Sequence, residues 1–131
     1  MLKNRLNFNT AIKLYFALMI VALAYHALIM TQIVDYKNAW GGRLESTDQM
    51  IRFELVSITI QFVFAAIIYV KISATPAGTP YKIAKGFVFL IALIFLINTA
   101  GNIMAIQLFE RIVFTPLTLL ASIASFRIAI E

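Results

Sequence analysis

Gly86-Phe87-Val88-Phe89-Leu90-Ile91-Ala92-Leu93-Ile94-Phe95-Leu96-Ile97 decides the fold. The stretch carries no charge, and the chain stays uncharged from Gly86 to Phe109. A transmembrane helix needs roughly 20 apolar residues to cross about 30 Å of hydrocarbon. Three further runs of the same kind lie around it, roughly Leu14 to Val34, Met50 to Val70 and Pro116 to Ile130. The last is short for a full span. The pattern predicts an all-α, integral membrane four-helix bundle forming one domain over residues 1–131.

Composition agrees. Hydrophobic residues make up 62% of the chain and charged residues 13%, against about 25% charged in an ordinary soluble domain. A soluble fold of 131 residues has too little interior for that much apolar surface. The absence of cysteine excludes disulfides, thiol nucleophiles, iron–sulfur clusters and thiolate zinc sites. With His26 as the only histidine, no multi-histidine metal or haem site can form within one chain. No Gly-rich phosphate loop, G-x-S-x-G elbow or H-E-x-x-H motif occurs. No metal and no cofactor are therefore expected.

The boundaries carry helix signals. Ser46-Thr47-Asp48-Gln49 reads as a capping box, with Ser46 as N-cap and Gln49 at the third helical position. Thr115-Pro116 reads as an N-cap followed by proline at the first helical position, and Thr79-Pro80 repeats the signal. Thr75-Pro76-Ala77-Gly78 reads as a turn. An apolar run after a basic start, with Ala22-Leu23-Ala24 inside it, also fits a cleaved signal peptide. The run continues unbroken to Val34, which favours a retained span.

The net charge of +5 is informative through its distribution and gives no reason to expect nucleic acid. Lys3, Arg5 and Lys13 precede the first span, and Lys71, Lys82 and Lys85 flank the second connection, both without acids. The first connection and its flanks hold Lys37, Arg43 and Arg52 against Asp35, Glu45, Asp48 and Glu54. Glu110 and Arg111 balance in the third. Lys/Arg excess marks the cytoplasmic side. Both termini are thus expected in the cytoplasm, with connections one and three facing outward. Tyr15, Tyr36, Trp40, Tyr69, Tyr81, Phe109 and Phe114 fall at span ends, as an aromatic belt requires.

Polar residues within spans are costly and face a bundle interior or a cavity. Glu54, Ser57, Gln61 and Ala65 share one helical face, as do Thr118, Ser122, Ser125 and Ala129. Asn98, Gly101, Asn102 and Ala105 form a similar series, and the first span adds Ala22, His26 and Gln32. Most such stripes serve packing and interhelical hydrogen bonding. Glu54 is different, because a carboxylate at this depth must pair, reach water or take up a proton. His26, Arg43 and Arg111 are its candidate partners. Gly41-Gly42 permits a tight turn with φ > 0, from which Trp40 and Arg43 project. Trp40, Arg43, Glu54, Glu110 and Arg111 would then rim a polar cavity open to the outer face, lined below by His26, Gln61, Asn98 and Asn102.

The motifs Tyr36-x3-Trp40-Gly41-Gly42-Arg43-Leu44…Met50-x2-Phe53-Glu54-x2-Ser57 and Asn98-x2-Gly101-Asn102-x2-Ala105-x3-Phe109-Glu110…Thr115-x2-Thr118 resemble a set of small bacterial four-helix membrane proteins. The similarity covers nearly the whole chain. It implies four spans and points to the same polar residues, and it implies no activity. Two other four-span families fit poorly. The Thr-Thr-Phe-Ser-Thr segment of dual-topology fluoride channels is absent, as is the first-span glutamate of small multidrug exporters.

The expected function is binding or transport of a small or lipidic ligand, with Glu54 as charge centre and Asn98 and Asn102 as orienting amides. A ligand-free subunit of a larger membrane complex is the structural alternative. A lipid-modifying enzyme using Glu54 and His26 as acid and base is the third. Membrane lipids, a second copy or another membrane protein are the expected partners.

Overall fold

The computed structural model describes residues 6–131, so Lys3 and Arg5 lie outside the described residues. Among the described residues it is all-helical, with four long helices and no strand. They are α1 (Phe8–Met30), α2 (Thr47–Ser73), α3 (Thr79–Ile103) and α4 (Thr115–Ala129). Four helical segments are long and apolar enough to cross a membrane, the fourth being Glu110–Ala129, which suggests a multi-pass membrane protein. Large apolar side chains such as Phe62, Leu93, Ile97 and Leu119 lie exposed on their flanks.

Local chemistry moves each boundary. Asn7 caps α1 by accepting the Asn9 N–H at 2.8 Å, so the helix begins six residues before the expected Leu14. It stops at Met30 because Gln32 turns to φ 57°, a left-handed conformation that ends a helix. Ser46 caps α2 by accepting the Gln49 N–H at 3.2 Å. The reciprocal arm of the box goes one residue further back, to the Glu45 N–H at 2.8 Å. Gly78, not Thr79, caps α3, leaving Pro80 inside the first turn, and the Thr75-Pro76-Ala77-Gly78 turn closes at 2.8 Å.

Two expectations about the second hairpin are corrected. The third span does not run to Phe109: α3 ends at Ile103, residues 104–107 form a connection, and Leu108 and Phe109 already belong to the next helical segment. Thr115 is not an N-cap, since it is itself helical and follows a π-helical turn over Glu110–Phe114. The reason lies in Pro116. Within a continuous helix its ring collides with the carbonyl four residues earlier and leaves it without an N–H partner. Widening the preceding turn relieves both problems, and the helix runs from Leu108 through the π turn into α4.

The helices form a bundle in which α4 packs against α3 and α1, while α2 joins α1 and α3. Ala121 and Ala124, both fully buried, let α4 approach its neighbours closely. Tyr15, Met19, Ile68, Val88, Ile91, Phe95 and Ile128 complete the main core. A smaller cluster of Ile29, Ala39, Leu44 and Met50 seats the first connection on the bundle. That seat brings Trp40 over the ends of α1 and α2.

Candidate functional site

The first connection is made of two short 3-10 turns, Tyr36–Asn38 and Trp40–Gly42. Asp35 caps the first through the Lys37 N–H at 2.9 Å. In the second, Trp40, Gly41 and Gly42 all take positive φ, at 55°, 69° and 73°. Glycine adopts this region freely, whereas tryptophan does so at a cost. The turn points its backbone N–H groups inward. Gly41 N–H donates to Glu110 Oε2 at 2.6 Å, and the Trp40 backbone N–H also reaches this carboxylate.

The side chain of the same tryptophan reaches a second carboxylate. Its indole N–H donates to Glu54 Oε1 at 2.6 Å. Glu54 Oε2 is hydrogen-bonded to His26 Nδ1. Glu54 is fully buried, while 16% of the His26 side chain is exposed. Two adjacent residues of the first connection, Trp40 and Gly41, therefore hold two buried carboxylates from opposite halves of the chain. A buried ion costs several kcal/mol unless charge and hydrogen bonds compensate it. Here donors come from α1, the first connection and its backbone.

Other expected residues take other places. Arg43 is exposed; it acts on Glu110 electrostatically without a direct ion pair. Arg111 is also exposed, and its Nε donates to Ala105 O at 2.9 Å, capping the bend after α3. Neither arginine holds Glu54. Gln61 lies two turns along α2 from Glu54, half-buried, with its Oε1 enclosed and without a hydrogen-bond partner. Asn98 stands on the exposed side of α3, away from Glu54. Asn102 donates to Phe114 O and Thr118 Oγ1, both at 3.2 Å, and so serves the α3–α4 contact.

The inward position beside Asn98 belongs to Thr99, which donates to Phe95 O at 2.8 Å and lies 3.0 Å from Thr118 Oγ1. Ser122 donates to Ala92 O at 2.8 Å. The α4 stripe is thus a helix-packing surface. Tyr25 escaped the sequence reading although it adjoins His26. Its ring packs 4.5 Å from that of Phe114 and 5.9 Å from that of Phe109. Its buried hydroxyl has no hydrogen-bond partner.

The arrangement offers acceptors and charge: two carboxylates, the enclosed Gln61 carbonyl and the Tyr25 hydroxyl, with a partly exposed imidazole on Glu54. Among the described residues no three His, Cys, Asp or Glu side chains are grouped to hold a metal ion. No family model, curated protein or solved structure matches the chain.

Proposed function

We propose that this chain binds or passes a small or lipidic ligand at the Trp40 end of the bundle, and that the ligand carries positive charge or hydrogen-bond donors. The supporting observation is the Glu54–Trp40–Glu110 assembly, in which Trp40 and Gly41 of one turn hold two buried carboxylates and Glu54 also meets the partly exposed His26. Such an assembly favours a proton or cationic group over an anion. The unpartnered Gln61 carbonyl and Tyr25 hydroxyl supply further capacity for an incoming polar group. On this reading the Trp40 end opens outward, and the basic ends of the spans and both termini face the cytoplasm of a bacterial cell.

Native mass spectrometry of the protein, gently extracted from its own membrane, tests this. A defined bound mass that disappears in Glu54→Gln supports the reading. A protein free of bound mass, or one whose adduct survives the substitution, overturns it.

The His26–Glu54 contact favours one second reading, acid–base chemistry on a lipid. With Nδ1 held by the carboxylate, Nε2 is the imidazole nitrogen left to exchange a proton with substrate. Turnover of membrane lipid by the purified protein, lost in His26→Ala, would distinguish it from simple binding.

A further inference from the structure

Among the described residues, the opposite end of the bundle gathers more positive charge than acid. Lys71, near the end of α2, is only 2% exposed. No carboxylate meets it among the described residues. Its ammonium group sits 3.9 Å from the centre of the Tyr81 ring and 6.0 Å from that of Phe8. Lys85 lies 6.0 Å from the same Tyr81 ring. Arg127, 5.8 Å from Phe8, differs from both lysines because its donors are used. Nε reaches Leu6 O at 2.7 Å and Nη1 reaches Glu131 at 2.8 Å. Four helices thus converge on two rings and three cations, and the one acid within this group already serves Arg127.

Aromatic contact stabilises an ammonium group but leaves its charge and its donors uncompensated. A cation buried this far is ordinarily matched by an anion. An apolar groove of about 580 Å³ opens between α2 and α3, lined by Ile67, Val70, Pro80, Ala84 and Phe87 among others. Ile67 stands one helical turn before Lys71 on the same face of α2, so the groove runs up to the cations, although neither lysine lines it. Cations next to an apolar groove match a phosphate joined to an acyl chain.

We propose that this end holds the phosphate of an anionic phospholipid between Lys71 and Lys85 beside the Tyr81 ring, with an acyl chain in the α2–α3 groove. The site is separate from the Trp40 end and stands or falls independently of it.

The test is native mass spectrometry of the full chain in detergent, titrated with phosphatidylglycerol, with zwitterionic phosphatidylcholine and with inorganic phosphate. Phosphatidylglycerol should be retained about tenfold better than phosphatidylcholine, whose choline cation cancels the net negative charge that the lysines attract. Lys71→Met should erase the preference, and Lys71→Arg should keep it. Lys85→Gln, at a less buried position, should reduce it several-fold and keeps the proposal testable should Lys71→Met fail to fold. Equal retention of the two lipids by the unsubstituted protein overturns the proposal, as does a preference unchanged in Lys85→Gln. Displacement of phosphatidylglycerol by millimolar inorganic phosphate would assign the cations to a soluble phosphate and overturn the lipid.

Discussion

Trp40 donates its indole N–H to Glu54 at 2.6 Å, tying the first connection to the buried face of α2. The bond satisfies one carboxylate oxygen while His26 holds the other. Trp40→Phe keeps the aromatic bulk and removes the donor. It should lower stability by about 1–3 kcal/mol, the cost of leaving a buried acceptor unmatched. Thermal unfolding in detergent measures this, and a smaller loss in a protein that already carries Glu54→Ala would identify the bond as its cause.

The turn beneath Trp40 gives a test of sign. Gly41→Ala and Gly42→Ala each place a side chain at positive φ, 69° and 73°, which costs about 1–2 kcal/mol per residue. The second also sets the new Cβ 3.2 Å from Gln107 Nε2, so Gln107 must shift from its contact with Lys37 O. Gly101→Ala meets nothing within 4 Å and lies within α3. It should stabilise the helix by roughly 0.5–1 kcal/mol. Unfolding midpoints of the three variants should therefore move in opposite directions.

Part of this site is legible in the sequence. The period of Glu54, Ser57, Gln61 and Ala65 fixes which face of α2 turns inward, because Phe53, Leu55, Val56 and Ile60 around it are lipid-compatible and exposed. His26 is one of three partners the sequence offers Glu54; the other two, Arg43 and Arg111, make other contacts, and Trp40 reads in the sequence only as an anchor on the rim. The phase of α3 was not legible. Its residues 86–97 are apolar on every side, so the pattern sets no direction, and one step along a helix turns a side chain by about 100°. Packing against α4 selects Thr99 as the inward residue and leaves Asn98 exposed. The grip on Glu110 was also hidden, since backbone N–H donors leave no side-chain signature beyond the Gly41-Gly42 pair.

Thr118 is the hub of the α3–α4 contact. Its hydroxyl donates to Phe114 O at 2.7 Å and receives the Asn102 amide at 3.2 Å, with Thr99 3.0 Å away. Thr118→Val preserves the shape and removes the oxygen. It should cost about 1–2 kcal/mol, whereas Asn98→Ala on the exposed side should cost much less. Comparing the two by thermal unfolding checks the phase of α3.

Tyr15 is fully buried, and its hydroxyl has no hydrogen-bond partner. Its ring packs against Phe95 with centres 6.3 Å apart. Tyr15→Phe keeps this packing and removes an unmatched polar group. Stability should stay constant or rise by about 1 kcal/mol, and a clear loss in the unfolding midpoint would contradict the placement of that hydroxyl.

The most direct test of the Trp40 end uses the fact that the chain contains a single tryptophan. Its fluorescence therefore reports on Trp40 alone. The protein is reconstituted in lipid, and its emission and quenching by aqueous iodide are compared with those of Glu54→Ala. With the indole anchored on Glu54, the substitution should release it, moving emission to longer wavelength and raising quenching. Identical spectra and identical quenching would mean that Glu54 does not hold Trp40, and would contradict the assembly on which the proposed function rests.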